Sequence, residues 1–120
     1  MEVPDDILSL LDGNEKVLHS TRQKKHRPAV NVESLTITSK RVILRRPSML
    51  RIKKNYVDYS YSDITNIVLD KGPFRSTIML NLKMDSHDLV IEDIPNKAAQ
   101  QAFRLIRDGI DQSRRATDTA

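Results

Sequence analysis

Residues 35–44 read Leu-Thr-Ile-Thr-Ser-Lys-Arg-Val-Ile-Leu. Leu35 and Ile37 alternate with Thr36 and Thr38, the period of a strand that lays one face on a core. Val42-Ile43-Leu44 follows as a second apolar run, and Ser39-Lys40 forms a two-residue connection between them. Two extended runs joined so tightly predict a β-hairpin. Short runs of the same kind recur on both sides.

Upstream, Pro4-Asp5-Asp6 precedes Ile7-Leu8-Ser9-Leu10-Leu11. A proline in the first turn and acids at the positive end of the dipole predict a short helix at about 4–11. Asp12-Gly13-Asn14 stops it. Lys16 to Lys25 reads as a first strand, and His26 to Glu33, with Pro28, as a loop. Downstream, Pro47-Ser48 breaks the third strand, and Met49 to Lys54 is ambiguous between a helical turn and a strand stub. Val57, Tyr59 and Tyr61 share one face of a fourth strand. Asp63 opens a fifth through Ile67 and Leu69, and Lys71-Gly72-Pro73 turns the chain. Ile78, Leu80 and Leu82 line a sixth strand, Asp85 to Asp88 turns again, and Leu89-Val90-Ile91 is a seventh.

Pro95-Asn96-Lys97 then opens a helix at about 95–112, with Ala99, Ala102, Phe103, Ile106 and Ile110 as its apolar stripe. Residues 113–120 are polar and read as a disordered tail. At 120 residues, with no linker or repeat, residues 1–112 form one domain. Open sheet edges need cover. The pattern therefore predicts a mainly β fold: a partly open antiparallel barrel of about seven strands, capped by the C-terminal helix.

Charge is segregated along the chain. Residues 16–54 hold twelve Lys or Arg and one acid, Glu33, while the remainder holds eight Lys or Arg against fifteen acids. The net charge of +4 is thus a local +11 offset by −7. A basic face and an acidic face on one small body steer anionic partners and favour self-association. There is no cysteine, which excludes disulfides and thiolate chemistry and fits a cytoplasmic setting. The acidic N-terminus is unlike a signal peptide, and no apolar run approaches the roughly 20 residues of a membrane span.

The sequence argues against catalysis. His19, His26 and His87 lie in separate segments without ligand spacing, and Gly13, Gly72 and Gly109 are isolated. Ser86, His87 and Asp88 are consecutive, whereas a triad is assembled across space. No catalytic residue, metal site or cofactor is expected. A basic stripe also supplies nonspecific phosphate affinity. Nucleic-acid binding would need aromatics among the cations, and only Tyr56, beside Lys53-Lys54, is placed for that.

Four stretches carry a family resemblance: 11–18 (Leu-Asp-Gly-Asn-Glu-Lys-Val-Leu), 35–43, 59–67 (Tyr-Ser-Tyr-Ser-Asp-Ile-Thr-Asn-Ile), and Lys71-Gly72 with Ser76-Thr77-Ile78. Together they resemble the prokaryotic pleckstrin-homology-like (PH-like) family over nearly the whole chain. The resemblance implies the capped barrel and a non-catalytic binding or assembly module. In eukaryotic relatives the loop after the first strand holds inositol phosphates, which here directs attention to Arg22, Lys24, Lys25 and Arg27. The second half of the basic segment adds Lys40, Arg41, Arg45, Arg46, Lys53 and Lys54. On a strand Arg41 and Arg45 share a face and Arg46 points oppositely. The expected partner is a second copy or another protein, met through the segregated faces. The alternative is an anionic lipid surface on the inner membrane. Cations on these strands also have a plain structural use, since charge protects an edge from pairing.

Overall fold

The computed structural model describes residues 3, 5–24, 32–47, 54–84 and 88–118, with 47, 54, 117 and 118 described by backbone alone. Helix α1 spans Asp5–Leu8. Strands follow as β1 (Val17–Arg22), β2 (Ser34–Thr38), β3 (Arg41–Pro47), β4 (Lys54–Ser60), β5 (Ile64–Lys71), β6 (Arg75–Leu82) and β7 (Leu89–Pro95), and helix α2 spans Asn96–Asp118. A 3-10 turn, Tyr61–Asp63, separates β4 from β5. The ambiguous segment 49–53 lies outside the described residues.

All strands pair antiparallel, in a four-stranded sheet β1-β2-β3-β4 and a three-stranded sheet β5-β6-β7. The sheets join at a corner where the Lys24 N–H donates to the Asp93 carbonyl at 2.8 Å, and along the chain through the Tyr61–Asp63 turn. The Lys83 N–H, bonded to the Asp63 carbonyl at 2.9 Å, extends the β5–β6 ladder by one step. The corner depends on a bulge. The β6–β7 register shifts between Ser76 and Ile78, so Ile91 and Ile94 both turn inward. Asp93, in that bulge, takes φ 60°, a left-handed conformation that a short acidic side chain tolerates.

The core lies between the sheets and under α2. Leu35, Ile37, Val42 and Leu44 come from the predicted hairpin, and Ile67, Ile78, Leu80 and Ile91 from the second sheet. Ala99, Ala102, Ile106 and Ile110 come from the helix. Each fully buried Ile or Leu contributes roughly 1.5–3 kcal/mol. The fold is the mainly β, helix-capped architecture expected from the pattern.

Three boundaries differ from the sequence reading. Pro95 ends β7, paired with Arg75, and the helix starts at Asn96. That asparagine ties the β5–β6 turn down, donating from Nδ2 to the Gly72 carbonyl at 2.9 Å and accepting from Ser76 Oγ at 2.6 Å. Helix α2 continues through Asp118, so residues 113–118 are helical where a disordered tail was expected. Helix α1 is one turn, shorter than the expected 4–11.

Tyr61 leaves the strand pattern and enters the core from the 3-10 turn, its hydroxyl donating to the Thr38 carbonyl at 2.6 Å. A Cβ at Gly109 would lie 2.5 Å from the Tyr61 ring, so the helix approaches the ring only because residue 109 has no side chain.

Candidate functional site

Val42 and Leu44 point into the core, so Arg41, Ile43 and Arg45 project from the outer face of the four-stranded sheet. The register places Arg22, Ser34, Arg45 and Tyr56 in one row, and Thr36, Ile43 and Asp58 in the next. This is a basic face with one isoleucine in its middle. It is covered by the chain's own N-terminal segment.

Arg41 grips Glu15 through Nε and Nη2, each at 2.9 Å, the bidentate geometry that makes guanidinium–carboxylate pairs strong. Its Nη1 lies 2.7 Å from Asp58 Oδ2, and Nη2 also donates to the Leu10 carbonyl at 2.8 Å. Thr38 Oγ1 donates to Glu15 as well. The Glu15 side chain is fully covered. The Arg41 hydrogen bonds hold its carboxyl down at about 2, against the upward push of burial. The Arg41 guanidinium is correspondingly held in its charged form, first by the hydrogen bond to Glu15.

Arg45 Nε lies 2.9 Å from Asp6 Oδ2, in ion-pair contact without an aligned N–H bond. Tyr56 donates its hydroxyl to the same carboxylate, which pushes the phenol pKa up. Lys40, on the hairpin turn, meets Asp12 at 3.3 Å with both groups well exposed, a pair worth about 0–1 kcal/mol. Arg46 points to the other face, beside Glu33, and donates from Nη2 to the Val90 carbonyl at 3.2 Å.

The ten expected anion ligands therefore part company. Arg41, Arg45, Arg46 and Lys40 face carboxylates of the same chain. Arg22 and Lys24 are exposed, and among the described residues no ion pair includes them. Lys25, Arg27 and Lys53 lie outside the described residues, and Lys54 is described by backbone alone. The five acids that Arg41, Arg45, Arg46 and Lys40 face, Asp6, Asp12, Glu15, Glu33 and Asp58, were not anticipated as partners. For Asp6, Asp12 and Glu15 the signal was present, because residues 2–15 hold Glu2, Asp5, Asp6, Asp12 and Glu15 and no cation.

The three-stranded sheet has a second outer face. With Ile67, Leu69, Ile78, Leu80 and Ile91 turned inward, Val68, Met79 and Val90 stand opposite one another across three strands. Val68 is exposed, the other two are half-buried, and Asp70, Asp88 and Glu92 surround the row. Phe74 and Met84, at the turns of the same sheet, are 85% and 94% exposed. Among the described residues no three His, Asp or Glu side chains converge as a metal site. No helix among them is long and apolar enough to cross a membrane.

Two antiparallel sheets joined at a corner, a bulged last strand and a capping helix define a pleckstrin-homology-like domain. The bacterial PH domain family matches residues 11–108, and the chain belongs to that family. The pleckstrin homology domain of Shewanella amazonensis SB2B superposes with a TM-score of 0.64 at 19% identity, covering 85% of this chain and 83% of that one. A DUF1696 family protein with a pleckstrin-homology domain from Shewanella loihica PV-4 gives 0.68 at 16% identity, with 88% of each chain covered. Both likenesses are of fold. No curated protein matches the chain.

Proposed function

We propose that this PH-like domain is a non-catalytic protein-binding module, cytoplasmic in setting, whose contact surface is the outer face of β5-β6-β7. Membership of the PH family supports a binding role in general. The observation that carries the finer reading is the Val68–Met79–Val90 row, three apolar side chains in register on a sheet face with a polar rim that includes Asp70, Asp88 and Glu92. Polar rims around an apolar centre are the anatomy of protein contacts. The partner is a second copy or another protein.

Capture by anionic lipid has weaker support. Arg41, Arg45, Arg46 and Lys40, which would hold a head group, already face internal carboxylates. Among the described side chains of that set, Arg22 and Lys24 remain for generic attraction to a negative surface.

The test combines light scattering across protein concentration with flotation on neutral and phosphatidylserine vesicles, at low salt and at about 0.5 M, where exposed charges are screened within a few ångströms. Association that survives high salt and is weakened in Met79→Glu supports the reading. A monomer at every concentration that floats with phosphatidylserine at low salt only would replace it with peripheral lipid attraction.

A further inference from the structure

The outer face of β2-β3-β4 is a groove filled by the chain's own residues 5–10, and the way they are held makes them exchangeable. Ile43 lies on β3 between Arg41 and Arg45. On the N-terminal segment Ile7 lies between Asp6, which meets Arg45, and Leu10, whose carbonyl accepts from Arg41. Ile7 and Ile43 are 0% and 1% exposed, and neither belongs to the core cluster under α2. The bracketing contacts place Ile7 toward Ile43 as a small separate apolar contact, with an ion pair at one end and a guanidinium–carbonyl hydrogen bond at the other.

Three features make this segment a detachable unit. Its backbone bonds are local, since the N–H groups of Ser9, Leu10 and Leu11 reach Asp5, Ile7 and Leu8. A one-turn helix has no stability of its own, so its order is lent by the groove. The turn that follows it contains Gly13, where an added Cβ would meet nothing within 4 Å, and beyond the turn Glu15 is anchored on Arg41. Rotation within residues 11–14 would lift residues 5–10 away and leave the Glu15–Arg41 pair in place.

We infer that residues 5–10 of one copy dock into the β2-β3-β4 groove of a second copy. The groove already has one complementary occupant, this chain's own segment, and a second copy presents the same Asp6, Ile7 and Leu10 to the same Arg45, Ile43 and Arg41. Exchange of an identical element is a low-cost route to association, since the exchanged contacts are the ones the monomer already makes. It uses a different face from the Val68–Met79–Val90 row and does not depend on it.

The test uses the full chain carrying Met79→Glu, so that the row cannot contribute. One protein adds Ile7→Asp, which spoils the segment and keeps the groove. The other adds Arg45→Glu, which makes the groove repel Asp6 and keeps the segment. Each alone should be monomeric, and an equimolar mixture should form a 1:1 complex of twice the monomer mass. A mixture that stays monomeric while both proteins melt cooperatively overturns the inference. Should Arg45→Glu not fold, a fluorescent peptide of residues 3–11 is added to the Ile7→Asp protein. It should bind at least about 10-fold more tightly there than to the parent, whose groove is filled, a tenfold ratio being about 1.4 kcal/mol. Equal or absent binding overturns the inference as well.

Discussion

Arg41 and Glu15 form a two-point pair, Nε and Nη2 each 2.9 Å from a carboxylate oxygen, with the Glu15 side chain wholly covered. This pair joins the second strand of the hairpin to the N-terminal segment. It converts the contrast between acidic and basic stretches of sequence into an internal contact.

Removing one half of the pair leaves a covered charge without its partner. Arg41→Ala should destabilise the domain by about 3–5 kcal/mol, whereas replacing both residues by apolar ones of similar volume should be close to neutral. Urea unfolding of the two variants checks this. Equal losses in both would show that the charges themselves are not the issue.

The Glu15 carboxyl titrates at about 2 in the fold, against an ordinary value of 4.5. A depressed acid stabilises the fold above its unfolded value, and that contribution is lost as pH falls from 4.5 toward 2. It amounts to about 3 kcal/mol at most. Unfolding free energies at about pH 6 and about pH 3 should differ less in Glu15→Gln than in the parent, by about 2 kcal/mol, the rest being lost only below pH 3.

His19 is buried on β1, with Nε2 unpartnered among the described residues. Burial pushes its pKa below 6.5, outweighing a hydrogen bond to the Ala98 backbone. Protonation therefore favours the unfolded chain. The His19 contribution should be constant above pH 6.5 and turn unfavourable below it, and His19→Gln should remove that part of the slope. An unchanged slope would assign the decline to other groups.

Gly109 stands where a methyl group would strike the Tyr61 ring, and that ring is held by its hydroxyl on Thr38. Gly109→Ala gains up to about 1 kcal/mol of helix propensity. The crowding, typically about 1–3 kcal/mol, should exceed it and lower the melting temperature. Adding Tyr61→Leu should recover part of the loss, because the clash is with the ring.

Much of the fold was legible. The 35–44 hairpin, the alternation of Ile67 and Leu69 with Val68, and the Ala99–Ile110 stripe each report one face of one element, and local periodicity records this directly. Ends were harder. Pro95 reads as a helix opener, yet its missing N–H is equally harmless at the end of a last strand, and Asn96 is the residue that ties the helix start to Gly72. Tyr61 kept strand alternation in the sequence and left it in the structure because a 3-10 turn carries the chain between the sheets.

The candidate site was legible only in part. Arg41 and Arg45 were expected on one face, with Arg46 opposite, and they are arranged so. Their occupancy was not visible. Arg41 meets Glu15 across 26 residues and Tyr56 meets Asp6 across 50. No local pattern encodes pairs at such distances.

By itself the sequence determined the class of fold, the strand order and the faces that become core, because burying apolar side chains at periods of 2 and 3.6 depends on neighbours along the chain. Tertiary structure decided which charges remain available. It laid acidic residues 6–15 against the basic face of β3 and brought Val68, Met79 and Val90 into one row. Both outcomes depend on register and on chain crossings, which set distances through space that spacing in sequence does not specify.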